Sequence, residues 1–209
     1  MVRSIVIIVI SVIICITVYT YIPSLGNGFA HIEGNHGTSF PEGWVWSQSI
    51  MVNNEASFSL VLGKFNIIGL TPTNCILYVR RRNEKGSLIF RTTDLDQVRY
   101  SIDRSNGCIN LNATSPVRGT RLEMSIRPTE SSISQSFHAL VHVPTIHGFS
   151  NTPGCRETYT AVATIRIFDP SIKHNDDASL MGNSTDNVEE YVFPLTALEY
   201  GGSFIRKLY

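Results

Sequence analysis

From Trp44 onward, apolar and polar residues alternate with a period of two, in short runs separated by turn residues. Phe58, Leu60 and Leu62 alternate with Ser57, Ser59 and Val61, and Val98, Tyr100 and Ile102 with Arg99, Ser101 and Asp103. Leu122, Met124 and Ile126 alternate with Arg121, Glu123, Ser125 and Arg127. Successive side chains of a strand point to opposite faces, so each run predicts a strand with one dry and one wet face. Turn chemistry falls between the runs at Gly63-Lys64, Asn83-Glu84-Lys85-Gly86, Ser105-Asn106-Gly107 and Pro116-Val117-Arg118-Gly119. Asn106-Gly107 is the strongest of these signals, because two successive positive-φ residues make a tight hairpin. The pattern predicts an all-β, antiparallel meander, as a barrel or a sandwich, and disfavours alternating strands and helices. The serine-rich stretch 129–135 and the polar stretch 170–187 are expected to be loops.

The N-terminus follows a different pattern. Arg3 precedes residues 5–22, which contain no Asp, Glu, Lys, Arg or His. As a helix, that run would cover roughly 27 Å, close to the apolar thickness of a bilayer. The charge bias places the rest of the chain on the non-cytoplasmic side, lumenal or extracellular. Ser24-Leu25-Gly26 and Gly28-Phe29-Ala30 offer cleavage sites for a secreted form, but the length of the run favours a retained anchor. The expected organisation is an anchor over 1–22, a linker over 23–39 and one β-domain over 40–209, which is long enough for a real core. The sequons at Asn112 and Asn183 are the candidate glycosylation sites in such a compartment.

Charge is balanced, with 17 basic and 17 acidic residues, so no global field recruits nucleic acid. Arg80, Arg81 and Arg82 form the one basic cluster, read as a solvated strand end with anionic lipid headgroups as the functional alternative. Cys75, Cys108 and Cys155 in an oxidising compartment predict one disulfide and one free thiol, with the pairing open. No Cys-x-x-Cys occurs, and His138 and His142 on one strand stand roughly 13 Å apart, too far to share a metal. Neither a metal nor a cofactor is expected. A serine nucleophile is excluded by the lack of a Gly-x-Ser-x-Gly turn.

The longest strand candidate runs over 156–168, where Glu157 shares parity with Tyr159, Ala161, Ala163, Ile165 and Ile167. That places the carboxyl in line with an inward apolar set, where desolvation would raise its pKa and make it a proton donor near neutrality. Trp44, Trp46 and Gln48 share one face and would set two rings and an amide along one wall, suited to a flat apolar ligand or to core packing. Glu199 precedes Tyr200-Gly201-Gly202, where glycines allow a close backbone approach or a bend.

Three patches, taken in order, resemble the C-terminal half of tocopherol cyclases. They are Phe40-Pro41-Glu42-Gly43-Trp44-Val45-Trp46-Ser47-Gln48, Gly154-Cys155-Arg156-Glu157-Thr158-Tyr159 and Ala197-Leu198-Glu199-Tyr200-Gly201-Gly202. The resemblance implies one lipocalin-like β-barrel, where the full-length enzymes carry two such lobes. It also implies chemistry in which a prenylated quinol is protonated at a double bond and a phenol oxygen closes the chromanol ring. By that resemblance Glu157 is the candidate acid and Glu199 a second carboxylate, while Trp44, Trp46, Gln48 and Tyr159 would contact a hydrophobic, isoprenoid quinol-like ligand. Three readings stay open: a membrane-tethered cyclase, a non-catalytic carrier or sensor of a hydrophobic molecule, and a structural extracellular domain.

Overall fold

A computed structural model of the chain describes residues 41–51, 55–65, 70, 72–82, 86–130, 133–145, 147–171 and 188–205, and the backbone of 14–22 and 26–34. The chain divides into two units, Met1–Phe40 and Pro41–Tyr209. In the first, β1 (Ile14–Ile22) and β2 (Gly26–Gly34) pair as an antiparallel ribbon. Of the anchor helix expected over 5–22, residues 5–13 lie outside the described residues, and Ile14–Ile22 is extended. Among the described residues no helix is long and apolar enough to cross a membrane. The loop 170–187 lies outside them from residue 172, and Asn183 with it.

The second unit is antiparallel β, as the alternation predicts. β3 (Gly43–Ile50), β4 (Ser57–Lys64), β5 (Thr73–Arg80) and β6 (Ser87–Arg91) form one meander. β7 (Gln97–Ile102), β8 (Ile109–Ser115) and β9 (Thr120–Arg127) form another. A one-turn helix α1 (Ile133–Ser136) leads to β10 (Ala139–Val141) and the small pair β11 (Pro144–Thr145) and β12 (Gly148–Phe149). Two long strands, β13 (Cys155–Phe168) and β14 (Val188–Gly202), join the meanders, giving the order β6-β5-β4-β3-β14-β13-β9-β8-β7 with β10 on the β13 edge.

The sheet curls into a nearly closed barrel. The β6 edge meets the β8–β9 turn through side chains: Arg118, in that turn, donates to the Ile89 carbonyl on β6 at 2.6 Å and lies 5.2 Å over the Phe90 ring. The inward faces are those read from the alternation, with Phe58, Leu60, Leu62, Leu122 and Ile126 all buried. Phe58, Phe90, Phe137, Phe193, Tyr200 and Phe204 fill the interior, with Phe58 edge-on to Phe193 at 5.0 Å and Phe137 to Tyr200 at 5.3 Å. Such rings interlock at crystal-like density and take the space that a ligand inside the barrel would need.

Several expectations are corrected. Gly63 and Lys64 are not a turn but the end of β4, where Gly63 faces Trp44 on β3 and Asn74 on β5. The loop at Asn106-Gly107 is not a two-residue hairpin, since only Gly107 has positive φ, at 71°. Its backbone is closed instead by Asp103, whose Oδ1 accepts from the Ser105 amide at 2.9 Å and whose Oδ2 accepts from Asn106 at 3.0 Å. Cys75, Cys108 and Cys155 are all buried free thiols. Cys75 faces the core opposite Leu62 and Cys155 the outer surface opposite Gly201, so a bridge between those two would have to pass through the sheet.

The arginine cluster is not a solvated strand end. Arg81, its side chain only 10 % exposed, is paired with Asp169 at 2.7 Å and Glu189 at 3.6 Å, while Arg82 pairs with Glu55 at 3.0 Å and lies 5.4 Å over the Tyr191 ring. These contacts fasten the end of β5 to the far ends of β13 and β14.

Candidate functional site

The inference that Glu157 faces inward fails at one place on β13. Between Thr158 and Ala161 the register with β14 shifts, and the extra residue of a bulge reverses the parity of the strand. Ala161, Ala163, Ile165 and Ile167 are in the core as expected, but Cys155, Glu157 and Tyr159 stand on the outer face. The partner strand agrees: Leu198 and Tyr200 are core residues, so Glu199 between them points outward. On β3, Val45 is buried in the core and pairs with Tyr200, which leaves Trp44, Trp46 and Gln48 on the same outer face.

Cross-strand pairing then gathers the site. One row runs Trp46, Glu199, Glu157 and Ala139, and the next runs Trp44, Gly201, Cys155 and Val141. All three sequence patches therefore meet on adjacent strands β3, β14 and β13. Gly201 is the floor: a Cβ there would lie 1.9 Å from Cε2 of Trp44, so the indole rests flat on the glycine. That contact aims the Trp44 Nε1–H, which donates to Oε1 of Glu199. The Tyr159 hydroxyl donates to Oε2 of Glu157. Gln48 sits further along β3 opposite Ala197 and is not drawn into this cluster.

The two carboxyls face each other across the β13–β14 ladder and hydrogen bond to one another. Burial, then the bond to Glu157 and its charge, raise the Glu199 carboxyl from 4.5 to about 7, against a smaller downward pull from Trp44. The environment thus makes Glu199 a carboxyl that holds a proton near neutrality. Burial and then the charge of Glu199 push the Cys155 thiol far up, and its Sγ lies 3.8 Å from the Val141 carbonyl. The bond to Glu157 pushes the Tyr159 hydroxyl up to about 12.

Cys155 Sγ and carboxylate oxygens of Glu157 and Glu199 lie within 4.8 Å of one another, the one metal-capable set among the described residues. A buried thiol disfavoured as thiolate is a poor ligand at neutral pH, so the set is better described as groups that share protons. Sequence reading missed Cys155 as a member; its parity with Glu157, two residues away, was the available signal. Tyr159 is 56 % exposed. His138 and His142 are exposed and bond to the Gln135 and Ser150 carbonyls respectively. Asn112 is exposed in the middle of β8, opposite Arg99 and Glu123, and not on a loop.

A raised carboxyl has a stability signature. Between pH 4.5 and about 7 the folded chain holds a proton on Glu199 that the unfolded chain has lost. The stability this contributes is fully present below 4.5 and disappears as pH rises through about 7. Glu199→Gln, neutral at every pH, is therefore expected to be more stable than the parent above this window, by about 2 kcal/mol, and equal to it below. Urea unfolding as a function of pH checks this; parallel profiles would contradict it.

No protein-family model matches the chain, nor does any curated protein or any solved structure.

Proposed function

We propose that the outer face of β3, β14 and β13 is a general-acid site that protonates an apolar, isoprenoid quinol-like substrate and closes it to a chromanol. The observation that carries this reading is the convergence of the three tocopherol cyclase-like patches on one proton-sharing carboxyl pair, roofed by Trp44. Neutral Glu199 gives its proton to the substrate's double bond, forming a C–H bond and a tertiary cation. The phenol oxygen then attacks that cation, a C–O bond forms, and the phenolic proton returns to the carboxylate pair. No atom is gained or lost, and no redox partner is required.

Each residue has a part that its surroundings support. Glu199 is the acid, because burial keeps it protonated near neutrality. Glu157 accepts from Glu199 and, with Tyr159 reaching solvent, restores the proton after turnover. Trp44 holds the acid in place through its Nε1–H. Since the interior is filled by its own rings, the substrate would meet the acid from outside the barrel.

The test is turnover of a prenylated quinol by the full chain in detergent or bilayer. Glu199→Gln is expected to lower it by about a hundredfold or more while leaving binding of the quinol intact. Glu157→Gln should lower it less, and the rate of the parent should fall as pH rises through about 7. Undiminished turnover in Glu199→Gln would remove the assignment.

A further inference from the structure

The carboxyl pair is one end of a longer row. Register carries it straight across the sheet: Glu157 faces Glu199, Glu199 faces Trp46 on β3, Trp46 faces Val61 on β4, Val61 faces Ile76 on β5, and Ile76 faces Arg91 on β6. Directly opposed residues point to the same side of a sheet, so the whole row stands on the outside of the barrel. Trp46, Val61 and Ile76 are only partly buried there, whereas Leu60, Leu62 and Leu77, next to them in the chain, fill the core.

The other half of the sheet shows an ordinary outer row. Arg99, Asn112, Glu123, Arg166 and Glu190 face one another in turn across β7, β8, β9, β13 and β14. All are polar or charged, and Arg166 lies 3.6 Å from both Glu123 and Glu190. By contrast, Trp46, Val61 and Ile76 set three large apolar side chains in register on adjacent strands, with an acid at one end and a cation at the other. The strip also has flanks. On one side the Trp44 indole lies over Gly201 and the Phe65 ring over Gly63, where a Cβ would meet Phe65 Cε2 at 2.9 Å. On the other stand Gln48 and Tyr78, whose hydroxyl is 2.8 Å from Ser87 Oγ.

We infer that this strip is the track for the aliphatic tail of the quinol, an assignment that rests on the reading above, and that Arg91 limits the length of tail it accepts. Neighbouring strands are about 4.8 Å apart, so the three steps from Glu199 to Ile76 span about 14 Å. An extended chain covers roughly 1.25 Å per bond, so the span takes about twelve chain carbons, or three isoprene units. A fourth unit would reach Arg91, which is exposed and paired with Asp94 at 2.7 Å, and apolar surface laid against a hydrated ion pair gains little. A flat protein partner would have to desolvate the carboxyl pair and the Arg91 pair together with the strip; a single chain with a polar head covers the apolar positions alone.

The test maps the tail. The full chain carrying Glu199→Gln, which leaves the quinol unreacted, is placed in lipid nanodiscs with prenylated quinols of one, three or four isoprene units, each with a diazirine at the end of its tail. After illumination, mass spectrometry locates the adducts, and excess unlabelled quinol defines which of them are specific. Specific label is expected at Trp46 for the one-unit probe and at Ile76 for the three-unit probe, with the four-unit probe labelling the strip about tenfold less. Arg91→Leu should bring the four-unit probe up to the level of the three-unit one. Val61→Glu, an outward change, should abolish the label at Ile76 and leave the one-unit label at Trp46. Specific label on the Asn112 and Arg166 face, label that ignores tail length, a four-unit probe unmoved by Arg91→Leu, or no specific label on β3–β5 would overturn the track. Turnover by the parent is measured separately. Its absence with the labelling pattern intact would remove the acid assignment alone, and turnover with label elsewhere would remove the track alone.

Discussion

Gly201→Ala is expected to destabilise the domain by about 3 kcal/mol and to unseat Trp44. The added methyl would stand 1.9 Å from the indole, a distance at which the ring must leave its place. Relief by a small shift is restricted, because the glycine is paired on both sides, with Trp44 on β3 and Cys155 on β13. Once displaced, Trp44 no longer donates to Glu199, and the larger of the two bonds that pull this carboxyl downward is lost, leaving the Cys155 bond. The variant should therefore show a changed tryptophan emission, a lower urea midpoint, and a Glu199 carboxyl that titrates above 7 rather than at it. A variant with unchanged emission and stability would mean that the indole does not rest on Gly201.

Arg81→Met has the second large expected effect, a loss of about 3–5 kcal/mol, since it leaves two carboxylates buried without their cation. Asp169 and Glu189 both face Arg81, at 2.7 and 3.6 Å, and both are almost wholly shielded from water. Burial pushes the Asp169 carboxyl up, yet the Ser171 and Arg81 hydrogen bonds outweigh it and hold the group below its ordinary range. In the parent, the stability from this lowered carboxyl is present above its ordinary pKa and is lost as pH falls through the folded value. Without Arg81 that acid-side dependence should weaken. Double replacement, Arg81→Met with Asp169→Asn, is expected to recover part of the loss, because it removes a stranded charge along with its partner. Equilibrium unfolding of the two variants reads both effects; a loss of less than about 1 kcal/mol in the single variant would contradict the buried-network description.

Much of this architecture was legible in the sequence because period-two patterning is a direct image of the pleat. Phe58, Leu60 and Leu62 declare the inner face of β4 without ambiguity, and Leu122, Met124 and Ile126 that of β9. Trp44, Trp46 and Gln48 do share one face, and Gly201 is closely approached, though by the Trp44 indole and not by backbone. The limits are equally physical. A bulge adds one residue without altering the alternation that precedes or follows it, so reading 157–167 as a single phase put Glu157 inside. The burial that raises a carboxyl falls on Glu199, because its surroundings are set by β3 and not by its own strand. Arg81 could not be recognised as buried because its partners, Asp169 and Glu189, lie far away in sequence. Likewise Gly63 followed turn chemistry locally, but the ladder between β3 and β5 claimed it.

On the outer face Glu199, hydrogen-bonded to Glu157, holds its proton near neutrality. Infrared spectroscopy of the full chain across a pH titration reads this directly, through the carbonyl band of a protonated carboxylic acid compared with Glu199→Gln. The expected result is a band that disappears with a midpoint at about 7 and is absent from the variant. A band lost near 4.5, or one that survives unchanged in Glu199→Gln, would contradict it.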